Sequence, residues 1–88
     1  MPNGNIKTQI RRFIAENLLY SDSGFEYSDD VSLLAEGIID SMGVMELIPF
    51  LEEIFEVTVG DHEITPDNFD SVEKLANYVS RKRKATRQ

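Results

Sequence analysis

Residues 37 to 42 read Gly37-Ile38-Ile39-Asp40-Ser41-Met42 and open an amphipathic, acidic segment that ends near Val57. Gly37 breaks regular structure before this junction, and helical periodicity begins after it. Ser41 is therefore predicted at the N-cap or in the first turn of a helix. The free N–H groups and the positive dipole end at such a position suit a phosphate ester. A plain helix cap formed by Asp40 and Ser41 is the favoured explanation when these two residues are taken alone.

The spacing of apolar residues predicts an all-α fold. We expect a four-helix bundle with three main helices, one short third helix and a long loop between helices one and two. Apolar residues three and four apart place the first helix between about Asn5 and Tyr20, and the loop covers residues 21–40. Thr65 followed by Pro66 starts the short third helix, and Asp70 or Ser71 caps the last one.

The second helix has two distinct faces when residues are placed about 100° apart. The predicted core face consists of Val44, Leu47, Ile48, Leu51, Ile54 and Phe55. The opposite face carries Met42, Met45, Glu46, Pro49, Glu53 and Glu56. Methionines adapt to varied partners and carboxylates steer basic ones, so this face fits a partner-binding surface as well as an ordinary solvated one. Pro49 cannot donate to the carbonyl of Met45, which predicts a kink or a split.

Composition indicates one globular domain, residues 1–80, followed by a basic tail, residues 81–88, that we expect to be disordered. Of the 88 residues, 41% are apolar and 28% are charged, which is ordinary for a globular domain. No apolar run is long enough to span a bilayer and no signal peptide is recognisable, so the expected location is cytoplasmic, with no membrane partner. The absence of cysteine excludes disulfides and a thiol belonging to the polypeptide itself.

The charges are strongly segregated along the chain. All 16 carboxylates fall between Glu16 and Glu73, whereas residues 13–73 contain no Lys or Arg. The central acidic surface repels itself and attracts basic partners. A solvated basic tail on an acidic body is a better interpretation than nucleic-acid binding. A lone histidine, His62, with no orienting partner gives no catalytic site, and no metal-ligand spacing is present.

The window from Leu34 to Val79 resembles the acyl carrier protein family, which includes peptidyl and aminoacyl carriers. The resemblance is carried by Asp40-Ser41-Met42, Glu46-Leu47, Leu51-Glu52-Glu53 with Phe55, Phe69-Asp70-Ser71-Val72, Leu75 and Tyr78-Val79. It implies a 4′-phosphopantetheine arm, derived from coenzyme A and attached covalently to Ser41. It also implies that the modifying transferase recognises Asp40. Pro49, Gly43 and Gly60 depart from the common family pattern.

The resemblance implies a non-enzymatic, monomeric carrier that holds acyl, aminoacyl or polyketide intermediates as thioesters. Its partners would be a phosphopantetheinyl transferase and the loading, condensing or modifying enzymes, whose basic patches would contact Met42, Met45, Glu46, Glu53 and Glu56. Fatty-acid synthesis competes here with specialised peptide, polyketide or aminoacyl pathways. A rival from another class is an unmodified acidic module that only docks a basic partner. Cargo folding back between the second and third helices, near Ile48, Val59, Ile64 and Phe69, is a further hypothesis.

Overall fold

A computed structural model describes residues 2–86 of the chain, with side chains described for residues 5–83. Four α-helices follow in the order α1 (Pro2–Phe13), α2 (Ser41–Phe55), α3 (Pro66–Phe69) and α4 (Val72–Thr86). A π-helical turn, Ile14–Leu18, extends α1, and a 3₁₀ turn, Asp61–Glu63, precedes α3. No strand occurs within residues 2–86. The predicted all-α class, with a short third helix and a long first loop, is confirmed.

The first helix differs from its predicted bounds at both ends. It begins at Pro2, so Asn5 lies inside the helix and does not cap it. Proline suits the first helical position because its fixed φ matches the helix and its missing N–H has no role there. At the other end, the N–H of Leu19 donates to the carbonyl of Ile14 at 2.9 Å, which is the wider spacing of a π turn.

The core lies where α1, α2 and α4 meet. It is formed by fully buried aliphatic side chains, among them Ile10, Ile14, Leu33, Leu47, Leu51, Leu75 and Val79. On the second helix, Val44, Leu47, Leu51 and Phe55 are buried as predicted, and Ile48 is partly buried. Ile54 is 48% exposed, so its predicted place in the core is wrong. Ile54 lies near the end of α2, where the side chains of Phe55 and Val57 fill the core instead.

Aromatic contacts join α1 to α2. The rings of Phe13 and Phe50 stack with their centroids 4.2 Å apart, and Phe50 meets Phe55 edge-on at 5.8 Å. The helix is not split at Pro49, which is exposed and lies within the single element Ser41–Phe55. An exposed proline leaves the unpaired carbonyl one turn earlier on the solvent side, where water can satisfy it.

The last helix is longer than predicted. Residues 81–86, which belong to the tail that we expect to be disordered, continue α4 as a helix, and residues 87 and 88 lie outside the described part. Lys and Arg are good helix formers and are favoured at a helix C-terminus by the dipole. Arg81 also donates to the Oδ1 of Asn68 at 2.8 Å, and Lys82 pairs with Glu63 at 3.0 Å.

Candidate functional site

Asp40 and Ser41 form the start of α2. Asp40 is the N-cap: its Oδ1 accepts a hydrogen bond from the N–H of Gly43 at 3.0 Å, and its carbonyl accepts one from Val44 at 3.1 Å. Ser41 is therefore the first helical residue, and its side chain is exposed. The first-turn N–H groups have no carbonyl one turn earlier to bind, so the hydroxyl lies at the positive end of the helix.

The junction before Asp40 is held by a compact turn in the long loop. The N–H groups of Ile38 and Ile39 both donate to the carbonyl of Leu33, at 2.9 and 3.2 Å. Gly37 adopts φ +70°, a left-handed conformation that side chains disfavour and glycine accepts. Ile38 and Ile39 are buried, so the turn fastens the chain to the core immediately before the cap. Asp40 and Ser41 are thereby delivered to the surface at a fixed position.

Asp70, which lies between α3 and α4, binds the same long loop through hydrogen bonds to residues 32–34. Its carboxylate accepts hydrogen bonds from the hydroxyl of Ser32 at 2.5 Å and from the N–H of Leu34 at 2.9 Å. Its carbonyl accepts the N–H of Leu33 at 2.9 Å. Ser71, in turn, caps α4 through its hydroxyl, which accepts the N–H of Lys74 at 3.0 Å. The predicted uncertainty between Asp70 and Ser71 is thus resolved, because Asp70 is occupied by the loop.

An open cleft of about 620 Å³ flanks Ser41. Its wall runs from the π turn, through the Leu34–Ile39 part of the loop, to the first turn of α2. The lining residues are Asn17, Leu18, Tyr20, Leu34, Gly37, Ile38, Ile39, Asp40, Ser41, Met42, Gly43 and Glu46. The cleft is a shallow groove that is widely open to solvent, and not an enclosed cavity.

Gly43 allows the wall of this cleft to close tightly. A Cβ atom at this position would lie 3.1 Å from the Cβ of Ile39 and 3.6 Å from the Cδ1 of Leu18. The departure of Gly43 from the expected family pattern therefore has a structural reason, because the first turn of α2 packs closely against the loop and the π turn. The cost is a weaker first helical turn, which the Asp40 cap offsets.

The predicted outer face of α2 is exposed. Met42 and Met45 are 71% and 55% exposed, and the side chains of Glu46, Glu53 and Glu56 also face solvent. Glu56 ends the helix in a left-handed conformation, φ 59°. Glu52, by contrast, is partly buried and accepts the N–H of Val59 at 2.9 Å, so it holds the connector and is not part of this face.

The family described as "Phosphopantetheine attachment site" matches residues 8–79, which includes all of α2, α3 and the junction at Ser41. The chain belongs to this family. It is 31% identical over 81 residues to a "D-alanyl carrier protein" of Streptococcus mutans, covering 92% of this chain and 99% of that protein. It is 32% identical to one of Lactobacillus delbrueckii subsp. bulgaricus, covering 88% and 92%, and 33% identical to one of Streptococcus suis, covering 85% and 91%.

Membership makes the protein a phosphopantetheine-dependent carrier and not an enzyme, and its cofactor is covalently attached 4′-phosphopantetheine. Carriers of this kind meet a phosphopantetheinyl transferase and the enzymes that load or modify the cargo. No helix in the described part of the chain has the length and apolar content that a membrane crossing needs. The site fits the cofactor, because the Ser41 hydroxyl is exposed at a helix N-terminus and a cleft adjoins it.

Three cleft residues, Asn17, Leu18 and Tyr20, were not predicted as part of the site. They lie more than twenty residues before Ser41 and are brought to it only by the π turn and by the way the loop folds back. Tyr20 is 82% exposed and adopts φ +53°, which is rare for a bulky residue. The sequence contains one signal for this part of the cleft. Tyr20 directly precedes the turn cluster Ser21–Gly24, where the helix has ended and an aromatic side chain is not required for helix packing.

Proposed function

We propose that the protein is a free-standing aminoacyl carrier that holds its cargo, a D-alanyl group being the first candidate, as a thioester on an arm attached to Ser41. The observation that carries the proposal is the exposed Ser41 hydroxyl at the first position of an Asp40-capped helix, inside the span that matches the family. The near full-length similarity to proteins named as D-alanyl carriers supports the aminoacyl class over fatty-acyl, polyketide or peptidyl cargo.

Attachment of the arm requires one functional group of the chain, the hydroxyl of Ser41. The Ser41 oxygen forms the ester bond to the phosphate that coenzyme A donates, losing its proton, and adenosine 3′,5′-bisphosphate leaves. The bound arm supplies the thiol that carries the acyl group, which matters because the chain contains no cysteine. A helix N-terminus favours the phosphate that remains on Ser41.

Asp40 has two proposed roles. As the N-cap it fixes the first turn, through the 3.0 Å bond to the Gly43 N–H, and so sets the direction of the Ser41 side chain. Among the described residues, no hydrogen bond to the second carboxylate oxygen, Oδ2, is found. We propose that this oxygen interacts with the transferase, near the metal ion of that enzyme. The first role concerns stability and the second concerns the rate of modification, so they can be separated by substitution.

The direct test is intact mass after incubation with coenzyme A and a broad-specificity phosphopantetheinyl transferase. The proposal expects a gain of one phosphopantetheinyl group on the wild type and none on Ser41→Ala. Ser23→Ala, which changes an exposed serine in the long loop, is the matched control and should be modified normally. An unmodified wild type, or a modified Ser41→Ala variant, would leave the unmodified docking module as the better explanation.

The outer face of α2 is proposed as the surface that partner enzymes contact. Met42 and Met45 supply adaptable apolar contact beside Ser41, while Glu46, Glu53 and Glu56 attract basic patches and set the register. Such an interface is small and salt-sensitive, which allows release after each transfer. We expect Glu53→Lys with Glu56→Lys to lower the kcat/KM of the loading enzyme about tenfold at low ionic strength. Glu26→Lys, an exposed charge reversal in the loop, should change it little.

The identity of the cargo is tested on protein purified from its native source. Hydrolysis of the thioester at mildly alkaline pH, which releases the acyl group as its acid and frees the arm's thiol, should yield an amino acid, and mass measurement with chiral analysis should identify it as D-alanine. A fatty acyl or polyketide fragment would contradict the aminoacyl assignment and leave the carrier assignment intact. The cytoplasm is the proposed location, because coenzyme A and the transferase that uses it are found there, and a monomer stays the expected state.

A further inference from the structure

The cleft beside Ser41 has no occupant in the function described so far. It lies between the π turn, the 34–39 segment of the loop and the first turn of α2, and Ser41 forms part of its rim. We propose that this cleft is the docking site of the arm itself, which folds back from Ser41 toward the π turn when no partner enzyme is bound. The inference rests on the proposed attachment at Ser41 and goes beyond it.

The π turn builds the far wall of the cleft. In a π turn, one additional residue is accommodated per turn, and the side chains that follow are displaced around the helix axis by about 100°. The N–H of Leu19 donates to the Ile14 carbonyl five residues earlier at 2.9 Å, which is the π pattern, and the N–H of Ser21 closes the end of the segment on the Ala15 carbonyl at 2.8 Å. Ile14 and Ala15 stay buried, while Leu18 reaches the first turn of α2.

The chemistry of the wall matches the chemistry of the arm. A phosphopantetheine arm alternates apolar methyl and methylene groups with two amides. Leu18 and Met42 offer apolar surface, and Tyr20 offers both a ring and a hydroxyl. The amide nitrogen of Asn17 donates to the Phe13 carbonyl at 3.2 Å. No donor to its Oδ1 is found among the described residues, so that oxygen can accept an N–H of the arm.

Two properties favour occupancy of the cleft by the attached arm over a free metabolite: the covalent attachment at Ser41 and the negative charge around the cleft. A group attached at Ser41 is held at the cleft at a millimolar effective concentration, so weak contacts are sufficient for partial occupancy. Free anionic metabolites are disfavoured, because Asp40 and Glu46 line the cleft and residues 13–73 contain no Lys or Arg. Weak occupancy is also what a carrier needs, since the arm has to leave the cleft for each partner.

The alternative position is the opposite side of α2, between α2 and α3. Ile48, Val59 and Ile64 are partly buried and pack against the core, and Phe69 is 2% exposed. Entry of the arm on that side would require these side chains to separate. The cleft at Ser41 is already open, so the arm can enter it without displacing packed residues.

The absence of cysteine makes a sharp experiment possible. In the ¹⁵N-labelled protein carrying its arm, verified by intact mass, the arm's thiol is the single thiol, and a nitroxide spin label will react there alone. We expect the strongest paramagnetic broadening at the amides of residues 17–20 and 37–39. Strongest broadening at Val59 and Ile64, or weak broadening spread evenly over the surface, would overturn the proposal. Amide shift differences between the unlabelled forms with and without the arm should follow the same pattern.

A pair of tyrosine variants separates docking from a general change in the protein. Tyr20→Asn removes the ring from the cleft and keeps a residue type that tolerates positive φ. It should lower the docked population about two- to fivefold, the effect of losing one exposed aromatic contact. Tyr27→Asn, an exposed loop tyrosine that does not line the cleft, should leave the broadening unchanged. Equal broadening in wild type and Tyr20→Asn would overturn the assignment of Tyr20 to the docking site.

The mass measurement keeps the two proposals distinct. A wild-type protein that gains no phosphopantetheinyl group overturns both the attachment at Ser41 and the docking site. A protein that gains the group and shows broadening elsewhere overturns the docking site alone. Activity with a loading enzyme is not needed for either readout.

Discussion

Arg11 donates two parallel hydrogen bonds to the carboxylate of Asp29, from Nε to Oδ1 and from Nη2 to Oδ2, each 2.8 Å long. The pair fastens α1 to the long loop, and the Asp29 carbonyl accepts the N–H of Glu73 at 2.9 Å, which adds α4. The hydrogen bonds from Arg11 hold the pKa of the Asp29 carboxyl below its ordinary value. One residue of the loop therefore connects two helices.

The Arg11–Asp29 pair should contribute more than an ordinary surface ion pair, because it is bidentate and partly buried. A double-mutant cycle of Arg11→Ala and Asp29→Ala should give a coupling free energy of about 1 kcal/mol in chemical unfolding. Asp30→Ala, at the exposed neighbouring carboxylate, serves as the control and should not couple to Arg11. A coupling free energy near zero would mean that the loop is held by its other contacts.

Glu63 should make the free energy of unfolding depend on pH. Hydrogen bonds from the Gly60 N–H, then from Lys82 and the Tyr78 hydroxyl, lower the pKa of the Glu63 carboxyl to about 2. The ionised form is therefore favoured in the folded protein, and its contribution is present above the ordinary value of 4.5 and lost as pH falls toward 2. Burial raises the pKa of Tyr78, so its hydroxyl remains a donor throughout.

The measurement compares wild type with Glu63→Gln by chemical unfolding at several pH values. The stability advantage of the wild type should be constant above about pH 5 and should shrink steadily between about pH 4.5 and pH 2. Glu26→Gln, an exposed loop carboxylate, controls for the general loss of charge. An advantage that does not change over this interval would show that the carboxylate is not held by these bonds.

Substitutions at Asp40 separate the cap from recognition by the transferase. Asp40→Ala should destabilise the protein by about 1 kcal/mol, since the Gly43 N–H loses its partner, whereas Asp40→Asn should retain most of the cap. Both variants should be modified more slowly if the transferase needs the negative charge. Normal modification of Asp40→Asn, measured by intact mass over time, would limit Asp40 to its structural role.

Replacing Pro49 should stabilise the protein. The helix continues through this exposed position, so Pro49→Ala restores a backbone donor for the Met45 carbonyl without new steric conflict. We expect the free energy of unfolding to rise by about 1 to 3 kcal/mol, with Glu53→Ala as an exposed control in the same helix. An unchanged or lower midpoint would indicate that α2 bends at Pro49 in a way that the surrounding contacts require.

Added salt or divalent cations should raise the melting temperature. The acidic region 13–73 contains no Lys or Arg, so its carboxylates repel each other at low ionic strength. Salt also weakens the ion pairs Lys7–Glu73, Arg11–Asp29 and Lys82–Glu63, but these involve only a few of the 16 carboxylates. A flat response in a thermal melt would remove self-repulsion as a factor in stability.

Local signals predicted most of the fold and the central part of the site. Asp40 and Ser41 were placed at a helix start because the change from loop to periodic sequence is sharp there, and the cap bond to Gly43 agrees. Thr65 and Pro66 similarly identified α3. Such signals depend on neighbouring residues, so they can be read without knowing the tertiary structure.

Three features could not be predicted from the sequence: the π turn, the exposure of Ile54 and the cleft. Ile10, Phe13, Ile14 and Leu18 fit an α-helix as well as the π turn that actually occurs, because the change in register involves backbone bonds rather than side-chain pattern. Ile54 lies on the core side of a helical wheel, yet it is 48% exposed, because Phe55 and Val57 fill the core at this end of α2. The cleft combines segments more than twenty residues apart, so no local pattern could show it.

The regular continuation of α4 to Thr86 has an electrical consequence. It fixes Arg81, Lys82 and Arg83 in one ordered helix, where Arg81 bonds Asn68 and Lys82 pairs with Glu63, whereas residues 13–73 contain no Lys or Arg. The molecule is thus a permanent electric dipole on the scale of the whole domain, and the field of a basic enzyme surface exerts a torque on it before contact. The carrier would therefore be oriented before it contacts the enzyme, with its acidic surface toward the basic patch.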